Sequence, residues 1–209
     1  MLALGRWPAD WYGLDMKFAK FDKSWLVAAG LILTAVAWRV VNWDYSVAPN
    51  LEIVTASSLI AAVFLARRAA VVVPLAIMVA SDIIIGNSSI LLFTWSGFAL
   101  IGLGGLVLRR WRARPGRLML ASLGAGVAAS AFYFVWTNFG VWLLGDGTMY
   151  AKTWAGLVQC YVMGLPFYRT MLEGNLVFVP AYFGVALYGP MAAKWLARRV
   201  GAKTASDVS

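Results

Sequence analysis

Asp82 is the one acidic residue that lies well inside an apolar run of this sequence. It follows Ser81 near the end of a run that spans about residues 69–85. A carboxylate in such a run must face protein or water and find a partner, because an apolar environment penalises its charge. Asp82 is therefore a candidate substrate contact or proton site. The alternative role is structural, as a loop cap or a hydrogen bond between helices that involves Asn87 or Asn138.

Arg39 is a candidate partner for this carboxylate. It lies near the C-terminal end of the first apolar run and is the only basic residue there. Its guanidinium would form an ion pair with Asp82 or Asp44, or its long side chain would carry the charge to a polar surface. The sequence leaves these alternatives open.

Two other side chains carry weaker signals. Asn138 stands between Trp136 and Trp142, where an amide would bind a ligand or satisfy a neighbouring helix. Tryptophans in such positions are usually members of an interfacial aromatic belt. Cys160 is the only cysteine. A free cysteine of this kind is more often a small packing residue than a nucleophile.

Several kinds of chemistry are excluded by residues that the sequence lacks. It contains no histidine and a single cysteine. An intrachain disulfide, a histidine or multi-cysteine metal site and a Ser-His-Asp triad are therefore impossible. The sequence has no Walker A pattern and no GxSxG, HExxH or CxxC motif, which counts against hydrolases, oxidoreductases and ATP-driven pumps. No cofactor is predicted to be required.

The composition is that of a membrane protein. Hydrophobic residues make up 62% of the chain and charged residues 13%, about half the charged fraction of a soluble domain. Long apolar runs without alternation favour helices over a barrel. The net charge of +9 comes from short basic clusters between the runs, which suits membrane topology and anionic lipid and not nucleic acid. The predicted fold class is an all-α integral membrane protein.

Six apolar runs are each about long enough to cross a bilayer. They cover approximately residues 25–41, 51–66, 69–85, 90–108, 118–144 and 176–196. The flanking residues 1–24 are predicted to be a cytoplasmic interfacial segment, residues 25–200 a membrane domain and residues 201–209 a mobile cytoplasmic tail.

Lysine and arginine segregate strongly when the N-terminus is placed in the cytoplasm. The outer side then holds only Arg39, Lys152 and Arg169, and the other basic residues fall in the inner segments. This asymmetry is what the positive-inside rule expects. Losing or adding one helix would destroy it, so it supports six spans with both termini inside.

This topology brings many polar and aromatic residues to the outer side, as a pocket loaded from outside would require. The candidate substrate-binding residues among them are Tyr45, Asp82, Asn87, Trp95, Trp136, Asn138, Trp142, Tyr150, Cys160 and Tyr161.

One outer stretch departs from the simple pattern. Trp154, Leu157, Val158 and Tyr161 recur at helical spacing, and Pro166 follows them. The spacing predicts a short amphipathic helix that ends at the proline and lies over the outer face. It would act as a lid, or it would be an interfacial helix without a functional role.

Two strings resemble a known membrane family. They are VPLAIMVASDIIIG at residues 73–86 and TNFGVWLLGDGTMYAKTWAGLVQCYVMGLPFYRTMLEGNL at residues 137–176. They are similar to the substrate-binding S-components of energy-coupling factor vitamin transporters, and most similar to the solitary bacterial cobalamin transporters. The resemblance implies six helices, a vitamin pocket near the outer face and a location in the inner membrane.

The resemblance also implies a substrate and a departure from the family pattern. The implied substrate is cobalamin, and a cysteine just before the Ser-Asp pair would ligate its cobalt. This sequence has Ala80 at that place, which puts the cobalt bond in doubt. Whether an energising ATPase module is a partner is left open. The competing functions are a membrane-embedded enzyme acting on a lipid or cofactor and a structural subunit without a ligand.

Overall fold

A computed structural model of the chain describes residues 24–86 and 89–206. All regular elements in these ranges are helices. They are α1 (Ser24–Tyr45), α2 (Val54–Phe64), α3 (Ala69–Ile85), α4 (Leu91–Gly105), a 3-10 helix (Leu106–Trp111), α5 (Pro115–Leu144) and α6 (Trp154–Ser206). The all-α prediction is confirmed for these residues. Almost all of the predicted interfacial segment 1–24 lies outside the described residues, as does the end of the predicted tail after Ser206.

Within the described residues, four helical stretches are long and apolar enough to cross a membrane. They cover Ser24–Tyr45, Leu91–Trp111, Pro115–Leu144 and Trp154–Ala193. The chain is therefore built as an all-α, multi-pass membrane protein. The other two helices, α2 and α3, are apolar but shorter, with 11 and 17 residues.

The short helix α2 forms the centre of the bundle. Every residue from Val54 to Val63 is buried, and α2 packs against α1, α3, α4, α5 and α6. Its sequence, VTASSLIAAVF, is rich in small residues, which let neighbouring helices approach closely. At about 1.5 Å per residue α2 is only about 16 Å long. The chain therefore enters the bundle as a loop, residues 46–53, before the helix begins.

Glycines in α4 permit its close approach to α2 and α3. A Cβ on Gly102 would overlap the carbonyl oxygen of Ala70 at the start of α3. A Cβ on Gly105 would lie 2.9 Å from a methyl group of Leu59 in α2. The backbone atom at Gly102 cannot move aside, so α4 can take this position only with glycine there, whereas a Cβ at Gly105 would require the Leu59 side chain to shift.

The prediction of a short outer helix that ends at Pro166 is wrong. α6 is one helix of 53 residues that contains Pro166, Pro180 and Pro190. A proline removes one backbone hydrogen bond but does not have to end a helix when packing against neighbours compensates. Here α6 packs along the whole of α5, the most extensive helix pair in the structure. The predicted sixth run, residues 176–196, is thus only a part of a longer helix.

Candidate functional site

A cavity of about 650 Å³ lies above the N-terminus of α2. Its walls come from the ends of α1 and α3, from α4 and α5, from one residue of α6 and from loop 46–53. A volume of this size is typical of a small-molecule site. The lining residues are Arg39, Asn42, Trp43, Ser46, Ala48, Pro49, Asn50, Leu51, Glu52, Met78, Asp82, Ile85, Gly86, Ile90, Thr94, Phe98, Tyr133 and Met171.

A charged cluster forms one wall of the cavity. Arg39 on α1 forms an ion pair with Asp82 on α3, with 2.7 Å between Nη2 and Oδ1. Arg39 Nε also donates to the hydroxyl of Ser81 at 2.7 Å. Trp95 on α4 donates its indole N–H to the second oxygen of Asp82 at 2.7 Å. The cluster therefore joins three helices around one carboxylate.

Burial explains why these groups must meet. The side chain of Asp82 is 7% exposed and that of Arg39 is 19% exposed. A charge in such surroundings is tolerated only when it is paired and hydrogen-bonded. The pairing of Arg39 with Asp82, one of the predicted alternatives, is confirmed. Asp82 thus satisfies the structural interpretation and still lines the cavity.

Loop 46–53 is held in place by side chains of α1. Asn42 donates to the carbonyls of Ala48 and Leu51, and its own oxygen accepts from the Ala48 N–H. Trp38 donates its indole N–H to the Leu51 carbonyl at 2.8 Å. These bonds draw the loop inward, so the start of α2 lies at the floor of the cavity.

Glu52 is a second buried carboxylate, located at this floor. It is 7% exposed. One of its oxygens accepts the Thr55 N–H at 2.8 Å and the other accepts the Thr55 hydroxyl at 2.6 Å. A carboxylate at a helix N-terminus is stabilised by the unpaired N–H groups and the helix dipole there. Glu52 therefore caps α2 and places its carboxyl group at the floor of the cavity.

Aromatic and thioether side chains complete the walls. Phe98 on α4 packs on Tyr133 of α5, with 4.5 Å between ring centroids and an interplanar angle of 36°. Gly97 makes room for this contact, since a Cβ there would lie 3.0 Å from the Tyr133 ring. Met78 and Met171 line the cavity from α3 and α6. Apolar walls with a few placed polar groups are the usual character of a ligand site.

The predicted candidates on α5 and α6 form a separate interface. Asn138 donates to the Phe134 carbonyl, and the thiol of Cys160 donates to the Asn138 carbonyl at 3.3 Å. Tyr161 donates its hydroxyl to the Val135 carbonyl. Gly164 faces the Asn138 amide so closely that a Cβ would overlap it. The structure thus uses Asn138, Cys160 and Tyr161 to join α5 to α6, away from the cavity.

Other candidates lie at helix contacts or at the loop between α5 and α6. Trp136 donates to the Ser96 hydroxyl and joins α5 to α4. Trp142 donates to the Ala151 carbonyl in the loop between α5 and α6. Tyr150 lines a second cavity of about 640 Å³ formed by that loop. Hydrogen bonds from Thr148 lower the pKa of Asp146 in the same loop.

Three predicted positions remain. Tyr45 is largely exposed at the end of α1, with 77% of its surface accessible. Ala80 is half-buried on α3 and does not line the cavity above α2. Met78 and Asp82 lie on the side of α3 that faces this cavity. Ala80 is two residues from each of them, so it projects to the opposite side of the helix. Asn87 lies outside the described residues. Among the predicted site residues only Asp82 lines the cavity, with Trp95 behind it.

Sequence reasoning missed most of the apolar walls. Met78, Phe98, Tyr133 and Met171 lie in helices that are apolar on all sides, so hydropathy gives no sign of the side that faces a ligand. The sequence did contain one indication that Met78 lines the cavity. Met78 and Asp82 are four residues apart on a helix, so their side chains must share a face.

The described residues hold no cluster of three or more histidine, cysteine or acidic side chains that would bind a metal. Cys160 is hydrogen-bonded to a backbone carbonyl and has no base beside it among those residues. The lining of the cavity above α2, an ion pair and a second carboxyl group among apolar walls, is suited to binding through shape and hydrogen bonds.

Comparison with known proteins identifies a family but no characterised relative. The sequence model of a family of unknown function, DUF6580, matches residues 19–195. No curated protein and no solved structure matches the chain.

Proposed function

The chain belongs to the DUF6580 family, and we propose that it is a membrane carrier that binds cobalamin, or a related corrinoid or vitamin, in its main cavity. The observation that carries this proposal is the cavity itself. It combines an ion pair, a second carboxylate and aromatic walls above a central helix whose residues from Val54 to Val63 are all buried. A ligand can therefore enter above α2, while the packed core below closes the route through the protein.

The proposed topology has six spans with both termini in the cytoplasm of a bacterium. α2 and α3 would be two further spans beside the four longer ones. α2 has only 11 residues, but it is enclosed by protein and need not match the hydrocarbon thickness itself. The exposed arginines Arg67, Arg68, Arg110, Arg114 and Arg117 lie at the opposite end of the bundle from the cavity. In the inner membrane, the positive-inside rule then directs the cavity to the periplasm.

The substrate class comes from the resemblance to S-components, and the geometry limits how a corrinoid would bind. A complete corrinoid is larger than a cavity of about 650 Å³. It would insert one edge between loop 46–53 and the Phe98–Tyr133 wall, and the rest would lie above the loop. Because Ala80 does not line this cavity, the proposed binding does not depend on cobalt ligation by position 80. An energising ATPase module is a candidate partner from the same resemblance.

Binding is favoured over catalysis by the state of the reactive groups. Both oxygens of Asp82 accept hydrogen bonds from Arg39 and Trp95, and both oxygens of Glu52 accept from Thr55. A general acid or base needs to exchange its proton with a substrate, whereas these carboxylates are held by the protein.

Cysteine labelling tests the orientation and the site together. In a Cys160→Ala background, Thr94→Cys in the cavity wall should react with a small membrane-impermeant thiol reagent in intact spheroplasts. Saturating cyanocobalamin should slow this reaction by about tenfold, since a ligand that fills a cavity excludes the reagent from its wall. Lys203→Cys should not react until the membrane is permeabilised.

Tyr45→Cys is the matched outer control, because Tyr45 is exposed and does not line the cavity. It should react equally with and without cyanocobalamin. Labelling of Lys203→Cys in intact cells would contradict the topology. Equal labelling of Thr94→Cys with and without the vitamin would contradict the proposed site.

A further inference from the structure

Glu52 is a buried carboxyl group without an ion-pair partner among the described residues. It is 7% exposed, and its oxygens are hydrogen-bonded to the N–H and the hydroxyl of Thr55, which are uncharged. Arg39, the only cation among the described residues that line the cavity, forms its ion pair with Asp82. A buried carboxylate that lacks a counter-charge is costly, and such a group tends to take up a proton.

The contact with Thr55 accommodates a proton on Glu52. Glu52 Oε1 lies 2.6 Å from the Thr55 hydroxyl, and Oε2 accepts the Thr55 N–H at 2.8 Å. A hydroxyl group can donate to a carboxylate or accept from a protonated carboxyl, so the 2.6 Å contact serves both forms. Glu52 can therefore gain or lose a proton while its side chain stays in place.

Among the described residues, three other charged or titratable side chains line the cavity with Glu52. They are Arg39 on α1, Asp82 on α3 and Tyr133 on α5. α2 and α4 contain no titratable residue, and α6 contributes Met171 to the lining. Burial raises the pKa of the Glu52 carboxyl, and its hydrogen bonds and the charge of Arg39 offset this only in part. Glu52 thus keeps its proton to a higher pH than an ordinary glutamate does.

A ligand in the cavity would separate this carboxyl group from water. Glu52 lies at the cavity floor, so a ligand that fills the cavity covers it. An ionised carboxyl would lose its remaining contact with water at a high cost, whereas a protonated one would lose little. Ligand binding and proton binding at Glu52 therefore favour each other, and linkage requires that each raises the affinity for the other equally.

We propose that Glu52 is a proton-binding site of the carrier, and that the loaded carrier holds the ligand and this proton together. This step rests on the proposed function for the identity of the ligand. The proton is exchanged with water, and no bond in the ligand is made or broken, so Glu52 couples binding to pH and has no catalytic role. Such a carrier would load its ligand at the more acidic face of the membrane and release it at the more alkaline face.

The pH dependence of cyanocobalamin binding tests the coupling. From about pH 5 to about pH 9 the affinity of the wild-type chain should fall about tenfold or more, and at most about tenfold for each pH unit, because only the protonated form binds well. Glu52→Gln keeps an uncharged side chain of the same shape, so its affinity should vary less than about threefold over this range. Glu173→Gln alters an exposed glutamate outside the cavity and should retain the wild-type pH dependence.

Proton uptake is a second readout that does not depend on a variant. Calorimetric titration in two buffers of different ionisation enthalpy should show that the wild-type chain takes up a proton when it binds cyanocobalamin, at the pH where its affinity changes. Binding without proton uptake, or a pH dependence that persists in Glu52→Gln, would overturn the proton site although the proposed function survives.

Thermal unfolding without ligand tests the proton site independently of the vitamin. A carboxyl group with a raised pKa in the folded state stabilises the fold at low pH, and this stability is lost as the pH rises through the folded-state pKa. The thermal midpoint should therefore fall more steeply with rising pH in the wild-type chain than in Glu52→Gln. Equal falls would show that Glu52 holds no such proton. Absence of cyanocobalamin binding with unequal falls would reject the proposed function, and with it the coupling, while keeping the proton on Glu52.

Discussion

Gly102→Ala is expected to abolish most of the folded protein. The added methyl group would overlap the carbonyl oxygen of Ala70, and a backbone atom cannot turn aside as a flexible side chain can. α4 would have to move away from α3, which would open the wall that carries Trp95 and Phe98. We expect a destabilisation of at least about 3 kcal/mol, the upper end of the range for overpacked sites. Thermal unfolding in detergent and the yield of monodisperse protein measure the effect.

Gly104→Ala is the matched control on the same helix. A Cβ at Gly104 would meet no atom within 4 Å, so the substitution should be neutral or slightly stabilising, since alanine favours a helix more than glycine does. Equal thermal midpoints for the two variants would show that α4 does not approach α3 as closely as described.

Asp82→Ala is expected to cost both stability and ligand binding. It leaves Arg39, which is 19% exposed, without its counter-charge and removes the acceptor of the Trp95 indole. Breaking a buried ion pair from one side costs about 3 kcal/mol or more. Cyanocobalamin binding should be lost as well, because the unpaired guanidinium no longer has a fixed direction. Thermal unfolding and calorimetric titration of the same preparation separate the two effects.

The double variant Arg39→Met, Asp82→Leu distinguishes structure from function. Replacing both partners with apolar side chains of similar size removes the unpaired charge, so most of the stability lost in Asp82→Ala should return. Binding should remain absent, because both the guanidinium and its carboxylate are missing. A stable double variant that binds the vitamin normally would assign the pair a structural role alone.

The helices themselves were largely predictable from the sequence. The third predicted run has the bounds of α3, and the first, fourth and fifth runs lie within a few residues of α1, α4 and α5. Long apolar stretches bounded by charged clusters reveal membrane helices because the bilayer imposes their length and polarity. The pairing of Arg39 with Asp82 was also accessible, since a buried carboxylate requires a partner.

The architecture of the site was less accessible. Pro166 predicted the end of a helix, but packing between α5 and α6 overrides that local signal. Asn138, Cys160 and Tyr161 are polar or reactive types, but their partners are backbone carbonyls, in the same helix for Asn138 and in the neighbouring helix for Cys160 and Tyr161. Sequence patterns do not reveal such partners. The cavity arises because α2 is short and begins inside the bundle, a consequence of how five other helices pack around it.

Calorimetric titration of the purified chain with cyanocobalamin shows directly whether the cavity binds a corrinoid. We expect saturable binding of one corrinoid per chain, which is retained in Gly104→Ala and lost in the stable Arg39→Met, Asp82→Leu variant. Monodisperse wild-type protein that releases no binding heat and retains no corrinoid after gel filtration would show that the chain is not a corrinoid carrier.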